Sequence, residues 1–331
     1  MEDRYRRLSF ITDMGGIKSA LGEMWGLFFP RQPVLNRDKS SEKKGRTFDE
    51  SWFVGKITQK VLYHPEGALE YPFFGERIYG EPIVGFVRGD DPIFERFKEV
   101  VGPHHFTPWE IMAWQARKNG VDPPPPEELS VVAFVLPLNP ATIRDNASQT
   151  DWVAQRWAQT RLLGEIFSQI MVREIVTELM DEGVLAVSPD VTPMFNKKRY
   201  PNVGWASPWS HRHVAYAAGL GTFGMHDFLI TGKGCAHRLG SFVVRLRLEP
   251  GRERPDDIHA HCLHHRGIPC LACAARCPVG AISASGHDKE GCSKRVAASL
   301  MRCNARYHIF IYGCGLCAAG VPCSTRIPEP S

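Results

Sequence analysis

The 331-residue chain has no cysteine before Cys235 and no internal repeat. It also has no apolar run of the roughly 18 residues that a membrane span needs. Neither charge dominates: 40 basic against 36 acidic residues leave a formal net charge of +4. A balance this mild implies neither a nucleic-acid nor a membrane surface by itself. The missing early cysteines exclude a disulfide scaffold spread through the chain, and a cytoplasmic setting is expected. Arg6 and Arg7 stand ahead of Leu8, Ser9 and Phe10 with a faint likeness to a twin-arginine export signal. Lys18 and Glu23 interrupt the apolar stretch that should follow, so an ordinary amphipathic helix is expected there.

What is present is enough apolar sequence, 43%, for a sizeable core. Residues 39–46 are polar and charged and read as a surface loop. Thr107, Pro108 and Glu110 make a capping box with proline at the first helical position, which predicts a helix to about Asn119. Pro123 to Pro126 form a stiff spacer. Residues 131–136 are continuously apolar and predict a buried strand. The longest helix falls within 151–182, with Leu163, Ile166, Phe167, Ile170, Ile175 and Leu179 on one face and Gly183 as its cap. Short strands are expected at 185–187 and 241–249. The resulting division is an unassigned N-terminal extension (1–125), an α/β core (126–251) and a cysteine-rich module (252–331).

Nine of the ten cysteines lie between Cys262 and Cys323. Cys270, Cys273 and Cys277, the last followed by Pro278, match three positions of the bacterial ferredoxin run C-x2-C-x2-C-x3-C-P. Its first position falls on Gly267, and Cys262 is the natural substitute, with Cys303 as the alternative. Cys292, Cys314, Cys317 and Cys323 follow. Close-spaced thiolates on a tight loop can converge on one cubane, while the next cysteine points away to another. Pro278 is expected to start a helix at Val279. Zinc also uses C-x2-C pairs, but it does not usually need eight interleaved cysteines. Cys235 and Cys303 read as buried small hydrophobes. His259, His261, His264 and His265 crowd the approach to Cys262 and read as a polar connector.

Two clusters need an acceptor. The most distinctive text before the module is Trp209, Ser210, His211, Arg212 and His213, then Ala218, Gly219, Leu220, Gly221, Thr222, Phe223 and Gly224, with Gly240 and Ser241 leading into a strand. The glycines fit G-x-G-x-x-G, but they follow a helical stretch rather than a strand, so the dinucleotide context fails. This text, followed by the cysteine module, resembles the corrinoid-binding segment of the epoxyqueuosine reductase and reductive dehalogenase superfamily, over roughly residues 130–331.

The resemblance implies a nitroreductase-like α/β (α+β) core with a C-terminal ferredoxin-like module of two 4Fe–4S clusters. It implies one cluster on Cys262, Cys270, Cys273 and Cys323, and another on Cys277, Cys292, Cys314 and Cys317. It places a base-off corrinoid (cobalamin) against Trp209, residues 218–224, Gly240 and Ser241. The implied activity is an oxidoreductase passing electrons from an external donor such as ferredoxin or flavodoxin, through clusters and corrinoid, to a small molecule or a modified tRNA. No stable nucleic-acid complex is expected. Candidate acids or orienters are Arg161, Tyr200, His211 and His213, each of which also reads as structural. The acidic Arg-Asp-Tyr donor of epoxyqueuosine reductases is not found between residues 151 and 182. A corrinoid-free iron–sulfur protein that docks on a partner enzyme is the alternative.

Overall fold

A computed structural model describes residues 34–36, 46–200 and 204–330. The helix expected within residues 6–30 and nearly all of the loop expected at 39–46 lie outside them. Along the chain come α1 (Glu50–Tyr63), β1 (Ile83–Arg88), α2 (Ile93–Val100), α3 (Pro108–Lys118), β2 (Ser130–Pro137), α4 (Pro140–Ala147), α5 (Gln155–Asp181) and β3 (Ala186–Val187). There follow the hairpin strands β4 (Lys198–Tyr200) and β5 (Gly204–Ala206), α6 (His211–Ala217), β6 (Gly221–Phe223), β7 (Leu229–Thr231) and β8 (His237–Val244). The C-terminal stretch carries α7 (Ala272–Ala275), β9 (Ile282–Ser283), β10 (Gly286–His287) and α8 (Lys289–Tyr307). Among the described residues no helix is long and apolar enough to cross a membrane.

The main sheet has the order β1-β2-β8-β3, and every neighbouring pair is antiparallel. β2 is buried at all its positions, as its unbroken apolar run requires of a strand covered on both faces. On one face Phe53 of α1 packs on Phe86 and Phe242, with ring centroids 6.3 and 5.9 Å away. On the other, Trp209 and α6 cover Ser241. Small antiparallel hairpins complete a mixed α/β fold.

Several expectations meet their elements directly. The Thr107 hydroxyl accepts the Glu110 N–H at 3.2 Å, and the Glu110 carboxylate accepts the Thr107 N–H at 2.8 Å, closing the capping box. α5 ends at Asp181, with Gly183 at φ +82°. Other elements differ. The strand expected at 241–249 runs over 237–244 instead, because its partner β2 begins at Ser130, opposite Val244. Val279 does not start a helix. It sits in a turn that ends at Gly280, φ +61°, and the helix begins only after Asp288, whose carboxylate accepts the Glu290 and Gly291 N–H groups.

The core also crosses the division expected at residue 125. β1 is hydrogen-bonded into the main sheet and α1 covers it. One buried apolar cluster extends from Phe48 to Val321.

Candidate metal centre

Cys273 sits in α7 and Cys292 and Cys303 on α8, and the other C-terminal cysteines are carried on short loops stapled to the fold. Arg276, between Cys273 and Cys277, donates to the carbonyl of Leu316 at 3.0 Å, between Cys314 and Cys317. Its other arm donates to the carbonyls of Asn146 and Gln149, at the end of α4. One guanidinium therefore fixes both cysteine loops against the core. The Asn146 amide adds a bond to the Cys314 carbonyl at 3.2 Å, and the Gly313 N–H one to Ser299 Oγ at 2.8 Å.

These loops, with α7 and α8, sort eight thiols into two places. Cys277, Cys292, Cys314 and Cys317 line a cavity of about 180 Å³ beside α5. Cys262, Cys270, Cys273 and Cys323 line a smaller one of about 20 Å³. Cys303 is fully buried on α8 and lines neither. A single tetrahedral zinc with Zn–S near 2.3 Å would draw its sulfurs to about 3.8 Å of one another. Among the described residues only His226, Cys235 and Cys323 bring three such ligand atoms within 4.8 Å. Both quartets are therefore spread wider than one zinc ion wants, as a polynuclear core would need.

Electrostatics follow from the crowding. Burial, and then the neighbouring thiols, push Cys273 up to about 11 and Cys317 well above the usual thiol range. Cys314 is raised chiefly by burial. Cys323 goes the other way, down to about 5, because Cys235 and then His226 face its sulfur and outweigh the cost of burial.

The larger cavity is also lined by Trp157, Arg161, Phe228, His237, Arg238 and His287. Arg161 contacts Glu165 at 2.8 Å, and Arg238 reaches the same carboxylate. The Arg161 guanidinium lies 5.2 Å from the Tyr312 ring centroid. Burial alone would raise the Tyr312 hydroxyl, but Arg161, Lys197 and Arg238 bring it below the usual tyrosine value. Of the four catalytic candidates only Arg161 is here. Tyr200 bonds His104 Nδ1 at 2.7 Å, and His213 bonds Ser210 Oγ at 2.7 Å. His211 bonds Ser241 Oγ at 2.8 Å and faces Asp190 at 3.5 Å. That serine, histidine and aspartate do not form a nucleophile site, since Ser241 is buried beneath the Trp209 indole.

The residues expected to cradle a corrinoid have other neighbours. A Cβ on Gly219 would meet the Glu253 carbonyl at 2.7 Å, and one on Gly221 the Ile230 carbonyl at 2.4 Å. One on Gly240 would meet the Phe134 ring at 2.2 Å. Trp209, Ala218, Leu220, Thr222 and Ser241 are buried in the core. Phe223 packs on His213, centroids 5.1 Å apart. Gly224 lines the smaller cysteine cavity, and the others line neither cysteine cavity. The glycines give room to backbone and rings of the same chain, not to an open ligand slot. Sequence reasoning missed Arg238, His237, His287 and His226. The only signal for the first two was their place at the head of the strand that Gly240 and Ser241 continue.

No family model matches the chain, and no curated protein matches it. Solved structures do. One is a selenomethionine-labelled epoxyqueuosine reductase, with 15% identity, 84% of this chain and 70% of that chain covered, and a TM-score of 0.42. A second is an epoxyqueuosine reductase from Bacillus subtilis, at 15% identity, the same coverage and a TM-score of 0.37. A third is a reductive dehalogenase described for B12-dependent dehalogenation, at 13% identity and a TM-score of 0.48; the match covers 85% of this chain but 34% of the dehalogenase.

Proposed function

We propose that the chain is an iron–sulfur reductase with two four-iron clusters. Cys262, Cys270, Cys273 and Cys323 would hold one, and Cys277, Cys292, Cys314 and Cys317 the other. The observation that carries this reading is the sorting of eight cysteines into two separate, wide-set quartets. The donor set fits: soft sulfur ligands, four to each site, on ferredoxin-like spacing. Residues 252–331 would then be a ferredoxin-like module on a nitroreductase-like core, and the clusters, when bound, supply one-electron transfer.

The protein's own contribution is position. The second quartet opens on the larger cavity, where an organic acceptor can reach it. Arg161 and Arg238 share the one carboxylate of Glu165, so positive charge is in excess on that wall. Such a wall favours an acceptor that gains negative charge on reduction. The sequence resemblance supplies the reaction class, reduction of an epoxyqueuosine-like or halogenated substrate. A corrinoid is also implied by it, but the residues assigned to that group do not form a cradle, and no step is derived through one. That closure favours a second reading, a corrinoid-free electron carrier docking on a partner enzyme.

The test is anaerobic reduction by dithionite followed by addition of an acceptor. Cluster absorbance should bleach, then return with an epoxyqueuosine-modified tRNA stem loop or an aryl halide. Return only with a partner enzyme moves the assignment to the second reading. Clusters that do not bleach contradict both.

A further inference from the structure

Cys323 differs from the other seven proposed ligands in having two side chains able to donate against its sulfur. His226 Nε2 lies 3.5 Å away, and Cys235 Sγ lies 3.7 Å away. His226 is 2% exposed and Cys235 is wholly buried. The imidazole tautomer is set by the backbone. The Phe228 N–H donates to His226 Nδ1 at 3.2 Å, so Nδ1 is the acceptor and the proton sits on Nε2, aimed at Cys323. Cys235 is held alongside by two backbone hydrogen bonds. Its N–H donates to the Cys323 carbonyl at 2.8 Å, and the Ala236 N–H to the Ser324 carbonyl at 3.0 Å.

Two glycines make this arrangement possible. A Cβ on Gly224 would come within 2.7 Å of His226 Cε1. Gly234, at φ +79°, would put a Cβ 2.3 Å from the Ser324 carbonyl oxygen. Neither the ring nor the backbone contact would survive an alanine unchanged. His226 also lines both cysteine cavities, so it stands between the two quartets.

We propose that His226 and Cys235 are positioning residues that raise the reduction potential of the Cys262, Cys270, Cys273 and Cys323 cluster by hydrogen-bonding the Cys323 sulfur. This rests on the two-cluster reading above. Reduction adds negative charge to a cluster, and a donor on a ligand sulfur stabilises the more negative form. The other quartet, whose Cys277 sulfur accepts the Ala281 N–H at 3.2 Å, has its own donor and keeps its potential when His226 is changed.

The experiment is an anaerobic redox titration followed by electron paramagnetic resonance, with iron and zinc measured on each sample. The proteins are wild type, His226→Ala, His226→Gln and Cys235→Ala. With about eight irons per chain retained, His226→Ala should move one midpoint to more negative potential and leave the other. The amide N–H of His226→Gln should restore much of that shift. Cys235→Ala should move the same midpoint in the same direction, which also decides the matter if His226→Ala does not fold. Unchanged midpoints in His226→Ala and Cys235→Ala overturn the proposal. So does loss of about four irons in both His226 variants, which would make His226 a ligand. One zinc per chain in wild type, with only about four irons, would mean that His226, Cys235 and Cys323 hold a single ion, and overturns it too. Absence of iron from wild type would instead sink the two-cluster reading itself.

Discussion

The Trp209 indole donates its N–H to Ser241 Oγ at 2.9 Å, deep beneath the main sheet. Ser241 is left to donate to His211 Nδ1, and Trp209 stacks on Phe94 and on His105, with centroids 6.1 and 5.8 Å apart. Both residues belong to the core rather than to an open cofactor face. Trp209→Phe should therefore cost about 1–3 kcal/mol of stability, since a buried hydroxyl loses its donor. Iron content should stay unchanged. Urea unfolding and metal analysis on the same sample check both halves; lost iron with unchanged stability would place Trp209 at a cofactor.

Cys303 and Cys314 separate packing from ligation. Cys303 is fully buried on α8, away from both cavities, while Cys314 lines the larger one. Cys314→Ser should lose about four irons per chain, one cluster's worth. Cys303→Ser should keep its iron. Equal losses from both would make Cys303 a ligand.

His105 predicts a pH dependence. It is 1% exposed, and its Nε2 accepts the Ser210 N–H at 3.1 Å. Burial holds it down to about 4, against 6.5 for a free histidine. Below pH 6.5 the unfolded chain takes a proton that the folded chain refuses, so stability falls as pH drops from about 6.5 to about 4. At pH 5 the loss is about 2 kcal/mol. Urea midpoints at pH 7 and pH 5 should show a smaller drop for His105→Gln than for wild type. Equal drops would mean that the ring is not buried neutral.

Phe53 tests whether residues before 125 belong to the core. It is fully buried against Phe86 and Phe242. Phe53→Ala should cost about 3–5 kcal/mol. A cost below about 1 kcal/mol in chemical denaturation would return α1 to the status of an appendage.

The capping box at Thr107 was readable because its hydrogen bonds are local. β2 was readable because a strand covered on both faces is apolar throughout. The role of α1 and β1 was not, since it depends on pairing with a strand about fifty residues on, and nothing local marks that. The run from Gly219 to Gly224 is ambiguous for a plain reason: glycine allows backbone to approach a ligand or another backbone equally well, and the letters do not distinguish them. The eight cysteines stood out by their spacing as candidate ligands. The histidine and the fifth thiol beside Cys323 were not, because residues 226, 235 and 323 meet only in the fold.

Each of the two cysteine quartets is proposed to hold an iron–sulfur cluster. Iron and acid-labile sulfide per chain, measured on anaerobically purified protein, test it most directly. About eight of each are expected. Zinc in place of iron, or about four irons with four of the eight quartet thiols still open to alkylation in the folded protein, would contradict it.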